Sequence, residues 1–299
     1  MTESGPFLSL DVAAQVAAEI RALARRAVDL LPTSSVARRL ARHRMVRPID
    51  YMRYAEFTAV LDELDIGHGD RVLDVGSPQW FSLYLASAYP ETSFTYVNIV
   101  ESELEPFREI TEVLGLTNIE HRMGDVRQLA FPDASFDCVI SISVIEHVYP
   151  EVGGDVAALG EIARVLEPGG DLVLTVPCKD RCAVVRVDGP VYERGAQDDN
   201  FFAREYDMNS FALLVASGLL RLDDSWLISE KAGTWSVDYY EWGPGSGARV
   251  RSALVRARVL LQVFGVSADE ALARRYLGIA REPEHRMVNI AARLRKPLR

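Results

Sequence analysis

Arg71–Ala86 reads RVLDVGSPQWFSLYLA. An apolar strand runs through Asp74 to Gly76 and turns into an amphipathic segment. A strand–glycine–helix turn is where α/β sheets hold nucleotide-like ligands, because the backbone can approach the ligand closely there and the helix N-terminus faces it. Positions 78 and 80, where such a loop usually carries further glycines, hold Pro78 and Trp80. Proline has no amide N–H and a fixed φ, so Pro78 cannot act as a donor or adopt positive φ. A nicotinamide fingerprint G-x-G-x-x-G is missing, since Gly76 alone is present.

Outward from this turn, strands and helices alternate, which predicts a doubly wound parallel α/β sheet. Candidate strands are Arg71–Val75, Phe94–Asn98, Ile119–Arg122, Asp137–Ile142 and Asp171–Val176. Helices are predicted at Trp80–Ala88, at Ser102–Leu114 with Gly115 as its stop, and at Asp155–Leu166 before Pro168-Gly169-Gly170. Upstream, apolar residues at helical spacing predict helices over Leu8–Leu31 and Tyr51–Leu64; Arg38, Arg39, Arg42, Arg44 and Arg47 between them read as a solvated helix face plus linker, or as an anion-attracting patch for a phosphorylated or carboxylated ligand. Downstream, Cys178–Tyr206 lacks periodicity and reads as a functional loop. A helix over Asp207–Ala216 and a strand over Leu222–Ile228 follow. Gly243–Gly247 is then read as a hinge, Ala248–Val263 and Ala268–Leu277 as helices, and Met287–Leu294 as the last strand. The expected domains are an N-terminal helical cap (1–66) and a core (67–232) with a substrate-side loop at 178–206. An aromatic and helical insertion (233–285), serving as lid or dimer element, and a final core strand with the C-terminus (286–299) complete them.

With 299 residues, 48% hydrophobic and 25% charged, the chain has the composition of a globular protein with one large core. Its net charge of −10 argues against nucleic acid as a partner. Cys138, Cys178 and Cys182 are too few for a disulfide framework and fit a reducing cytoplasm. Without clustered histidines, the Cys178/Cys182 spacing predicts no metal site. No apolar run approaches the ~18 residues of a membrane span, and no signal peptide is read at the N-terminus.

The chemistry lies in an ordered series. Asp74 and Gly76 end the first strand, Asn98 ends the second, and Gly124-Asp125-Val126 follows the third. The run from Gly124 to Asp137 fits GD-x-x-x-L-x-F-x-D-x-S-F-D; SISVIEHV (Ser141–Val148) and RVLEPGG (Arg164–Gly170) come next. Over about Asp70–Pro177 this series resembles the class I S-adenosylmethionine-dependent methyltransferases, especially small-molecule enzymes of the methyltransferase type 11 kind. The resemblance implies a Rossmann-like seven-stranded sheet with an antiparallel last strand, and S-adenosyl-L-methionine as cofactor. It implies that Asp74, Gly76 and Ser77 form the loop against the methionine part and that Asn98 meets the ribose, where the family usually has an acidic residue. Asp125 would accept from the adenine amine with Val126 on the ring, Ser141 and Ser143 would floor the site, and Arg53 and Tyr54 would reach the cofactor carboxylate. Asp137 is expected to be structural.

His147 stands just past the fourth strand, and its near-neutral pKa suits a general base. Neighbouring Glu146 is not expected to pair with it, since adjacent helical residues face apart. Tyr192, Phe201, Phe202, Tyr206, Trp235, Tyr239, Tyr240 and Trp242 suggest an aromatic acceptor pocket. The expected function is methyl transfer to an O, N or C atom of a small organic molecule. The alternatives are a cofactor-binding protein without methyl transfer, used structurally or for chemistry such as cyclisation, and an interaction module using the Arg38–Arg47 patch and the 248–263 helix, where a homodimer contact, a lid or a membrane-surface helix are all open.

Overall fold

The computed structural model describes residues 7–187, 191, 200–231, 268–283 and 285–298. Three helices come first: α1 (Asp11–Leu30), α2 (Val36–Val46) and α3 (Tyr51–Glu63). The core follows as β1 (Arg71–Val75), α4 (Gln79–Ala88), β2 (Ser93–Asn98), α5 (Glu101–Leu114), β3 (Ile119–Met123), β4 (Phe136–Ile142), a 3-10 turn (Ile145–His147), α6 (Gly154–Val165) and β5 (Leu166–Pro177). Then come β6 (Ala183–Arg186), β7 (Phe201–Glu205), α7 (Met208–Ser217), β8 (Arg221–Glu230), α8 (Ala268–Tyr276), β9 (Leu277–Ala280) and β10 (Arg286–Arg295).

The main sheet has the order β3-β2-β1-β4-β5-β10-β8-β9. The first five strands of that order pair in parallel, and β10 runs antiparallel between β5 and β8. This is the Rossmann-like arrangement with its reversed last strand. The count differs from the expected seven, because β9 adds an eighth strand on the outer edge of β8. Successive residues of the central strands feed opposite cores: Val72, Ile140 and Val173 join α1–α5, whereas Leu73, Val139 and Leu172 join α6 and α7. Strands buried on both faces read as continuous apolar runs, which is why these segments lack alternation. The N-terminal helices share one continuous core with α4, α5 and the sheet.

The Arg-rich stretch forms the expected helix face: Arg38, Arg39, Arg42 and Arg44 lie on α2, capped by Ser35, whose Oγ accepts from Arg38 N at 3.3 Å. One expectation is corrected. The region 178–206 contains an antiparallel pair, β6 with β7, which strand-length pieces too short for a periodicity signal had concealed. The Gly243–Gly247 hinge, the Ala248–Val263 helix and Tyr192, Trp235, Tyr239, Tyr240 and Trp242 lie outside the described residues. Among the described residues, no helix is long and apolar enough to cross a membrane.

Candidate active site

The strand order reverses between β1 and β4, the place in an open α/β sheet where a crevice forms beyond the strand ends. A cavity of about 470 Å³ opens there, walled by the ends of β1, β2 and β4 and by Gly124–Arg127 after β3. A second, of about 350 Å³, adjoins it and reaches His43 and Arg44 on α2 and Arg53 on α3. The two share Gly76, Asn98, Glu103 and Ser143, so they form one cleft with two lobes.

Gly76 makes the turn with φ +69°, and a Cβ there would stand 3.3 Å from Val144 Cγ1. Only glycine meets both demands without strain. Asp74 is fully inside: its carboxylate accepts from Ser77 N (3.0 Å) and Ser82 Oγ (2.6 Å), and burial pushes its pKa up to about 6. Ser77 accepts from Ile142 N through Oγ (3.0 Å) and from Tyr96 OH through its carbonyl (2.9 Å), locking the turn to β2 and β4. Pro78 occupies the N-cap of α4 with φ −54°, within proline's own range. Trp80 is buried edge-on against Phe107 at 5.7 Å. The two departures from a glycine-rich loop thus serve helix initiation and core packing, and both residues also line the smaller lobe.

At the end of β2, Asn98 Oδ1 accepts from Val100 N (2.9 Å) and Nδ2 donates to Glu103 Oε2 (3.1 Å). A carboxylate therefore does stand at this rim, supplied from the first turn of α5. Sequence reasoning passed over Glu103, whose only signal was the acidic pair Glu101 and Glu103 at a helix start. Across the cavity, Asp125 is held by Arg127 Nε at 3.0 Å to each oxygen, which keeps its carboxyl below the usual range. Arg127 Nη1 also donates to Tyr149 O (2.6 Å). Val126 and the exposed Ile99 supply apolar walls.

Beneath the cleft, Ser143 takes φ +53°, an uncommon conformation for a non-glycine residue that tends to mark functional sites. Its Oγ donates to Glu56 Oε1 (2.6 Å) and accepts from Arg53 Nη1 (2.9 Å). Glu56 is fully buried and also accepts from Thr175 Oγ1 (2.9 Å), Asn289 Nδ2 (2.8 Å) and Arg53. One buried carboxylate thereby gathers α3, β4, β5 and β10 under the site.

His147 lines the larger lobe with its Nδ1 2.8 Å from Phe202 O. A carbonyl only accepts, so Nδ1 carries the proton and Nε2 has the lone pair of the neutral ring. Burial pushes the imidazole pKa down, favouring that neutral form. Contrary to expectation, Glu146 is close: the tight 3-10 turn brings its Oε1 to 3.8 Å from His147 Nε2. Glu146 is buried, and desolvation pushes it up to about 8, so it is a neutral acid at pH 7.

Of the expected site residues, the fold brings Gly76, Ser77, Asn98, Asp125, Val126, Arg53 and His147 to the cleft walls. Asp74, Ser141 and Tyr54 line neither lobe: all three are buried behind the wall, where Asp74 braces the turn through Ser77 and Ser82. Asp137 is structural as expected, accepting from Arg71 N (2.8 Å) and from its guanidinium (3.0 Å). Cys178 is buried and Cys182 exposed.

Residues 73–174 match the family described as "Methyltransferase domain". A fatty-acid O-methyltransferase of Mycolicibacterium smegmatis is 34% identical over 131 residues, which are 44% of this chain and 43% of that protein. A ribosomal RNA small subunit methyltransferase G of Aeromonas salmonicida is 31% identical over 115 residues, 34% of this chain and 55% of that protein. The chain thus spans about half the length of these curated relatives. Among solved structures, a SAM-dependent methyltransferase of Methanosarcina mazei has 16% identity and a TM-score of 0.50 over 80% of this chain and 97% of that chain. The cyclase SpnF has 19% identity and a TM-score of 0.50 over 80% of this chain and 79% of that one; both likenesses concern the fold. Residues 73–174 of this chain are thus similar to methyltransferase domains, and its fold is shared with solved methyltransferase structures.

Proposed function

We propose that this protein transfers the methyl group of S-adenosyl-L-methionine to an O, N or C atom of a small organic acceptor. The observation that carries this reading is the two-lobed cleft at the reversal point, onto which Gly76, Asn98 with Glu103, Val126 and His147 converge from four separate segments. The cleft suits that cofactor. Val126 and Ile99 offer apolar surface for a base, and Glu103 and Asn98 offer an acceptor and a donor for ribose hydroxyls. Arg53, with Arg44 beside it, offers positive charge for a carboxylate.

The cofactor, once bound, supplies an activated sulfonium methyl. The protein's part is to align the acceptor and remove its proton; alignment alone is worth ~7–11 kcal/mol in favourable cases. His147 Nε2 is the group for the proton, with the ring's tautomer set by Phe202 O. The reading in which cofactor is held without transfer rested on Pro78, Trp80 and Asn98. Pro78 starts helix α4, Trp80 packs on Phe107 and Asn98 stands beside Glu103, and the cleft stays open with Pro78 and Trp80 in its smaller lobe, which supports the transfer reading. The net charge of −10 disfavours a nucleic-acid acceptor.

Titration calorimetry with S-adenosylmethionine and S-adenosylhomocysteine tests the proposal. Saturable binding of both at micromolar to millimolar concentration is expected, and no heat from either would overturn it.

A further inference from the structure

The turn carrying His147 has an unusual support. From Glu146 to Glu151 the chain has no regular structure beyond one 3-10 turn, so its carbonyl groups need partners from elsewhere. A single side chain supplies most of them. Arg204 on β7 donates through Nη1 to Glu146 O (3.2 Å) and Val148 O (2.9 Å), through Nη2 to Pro150 O and Glu151 O (2.7 Å), and through Nε to Glu151 O (3.0 Å). It is itself nearly buried, its Nε is 3.3 Å from Asp155 Oδ2, and its guanidinium lies 4.8 Å from the Phe201 ring centroid. Tyr206 OH fixes the same Asp155 oxygen at 2.9 Å. Two residues back along the strand, the Phe202 carbonyl holds His147 Nδ1, and the Phe202 ring meets the imidazole edge-on at 4.7 Å. One short strand thus grips the turn's backbone with a side chain and its imidazole with a carbonyl.

We propose that the β6–β7 hairpin is the positioning element for His147 and that Arg204 is its positioning residue. Arg204 lines neither lobe of the cleft, so it acts through the turn and not by touching the ligand. The planar five-donor fork is what the site requires: four carbonyl oxygens and a carboxylate are arranged around one guanidinium, and a lysine ammonium has three donors and no fork. The inference rests on the methyl-transfer reading for what His147 does, but the placement itself is open to test without cofactor or acceptor.

The experiment is a ring-15N histidine NMR titration of the full-length protein, free of cofactor, with the His147 signal assigned by its loss in His147→Gln. Among the described residues, the groups facing the ring include Glu146 from its own turn, Arg53 from α3, and Arg204 and the Phe202 carbonyl from β7. The wild-type ring is expected in the Nδ1–H tautomer, titrating below the ordinary histidine value. In Arg204→Ala the midpoint moves up toward about 6.5 and the tautomer signal becomes mixed. Arg204→Lys, which keeps the charge and loses the fork, gives an intermediate tautomer mixture. Should Arg204→Ala fail to fold by circular dichroism, Arg204→Lys carries the test. A folded variant whose His147 midpoint and tautomer match wild type overturns the proposal. Loss of cofactor binding in the wild-type protein would instead overturn the function and leave the placement of His147 standing.

Discussion

Gly76→Ala is the substitution that most directly probes the turn between β1 and α4. The residue has φ +69°, where an L side chain costs roughly 1–2 kcal/mol because Cβ crowds the following carbonyl. A Cβ would also meet Val144 Cγ1 at 3.3 Å and Cγ2 at 3.4 Å, so the β-branched Val144 must give by a few tenths of an ångström. Val144 lines the larger lobe and directly precedes the turn that carries His147. The expected outcome is a melting temperature lower by about 2–8 °C, from the ~2–4 °C per kcal/mol of chains of roughly 150–250 residues. S-adenosylhomocysteine affinity should fall by about tenfold, the equivalent of ~1.4 kcal/mol. Scanning calorimetry and binding calorimetry read the two effects. Gly160→Ala is the matched control: it lies inside α6 with open space at its Cβ, so alanine should stabilise by about 0.5–1 kcal/mol through helix propensity. If Gly76→Ala left both melting and affinity unchanged, the argument that this turn requires glycine would be wrong.

Three further outcomes follow from the cleft. Glu103→Gln should weaken S-adenosylhomocysteine binding, because it removes the carboxylate that Asn98 orients at 3.1 Å; Glu101→Gln, one residue outside the lobes, should not. Equal affinities in the two variants would refute the ribose assignment. His147→Asn should keep cofactor affinity while lowering methyl transfer by about 10²–10⁴-fold for an acceptor that must lose a proton; full turnover would exclude His147 as base. Glu146 gives a stability test. Its folded pKa, pushed up to about 8 by burial, lies above the ordinary 4.5, so the folded state keeps a proton that the unfolded state releases. The stability this confers is complete below about pH 4.5 and is lost as pH rises toward 8, by on the order of 5 kcal/mol. Urea unfolding from pH 5 to 8.5 should therefore show Glu146→Gln, which mimics the neutral acid, gaining on wild type as pH rises; parallel curves would contradict the assignment.

Much of the fold was legible because the central strands are buried on both faces. Arg71–Val75, Phe94–Asn98 and Asp137–Ile142 each lie within a residue of the observed bounds, since apolar runs of that length leave little choice, and the edge strand Ile119–Arg122 is placed as well by its alternation between buried and exposed residues. Gly115 ends α5 with φ +68°, as its position predicted. The β6–β7 pair escaped notice because four- and five-residue strands on a half-exposed hairpin carry almost no periodicity. β9 is not read from the sequence, and its first residue, Leu277, falls into the expected helix because it continues the helical spacing of α8 while its backbone pairs with Glu230. In the site, residues whose backbone bends the chain were readable in order. Which side chains face the cleft was not. Asp74 and Ser141 lie on strands with two buried faces, and nothing in the sequence says that both faces are closed to the ligand. Arg204 acts across a span of the chain that only folding closes, whereas Glu103 is five residues from Asn98 and is turned toward it by the start of α5.

The central claim is that the two-lobed cleft is the cofactor site. A crystal structure of the protein with S-adenosylhomocysteine tests it most directly. The account predicts the base between Ile99 and Val126, the ribose hydroxyls on Glu103 and Asn98, the carboxylate toward Arg53, and the sulfur on the side of His147. Adenosylhomocysteine bound elsewhere on the molecule, with Gly76 and Glu103 untouched, would contradict it.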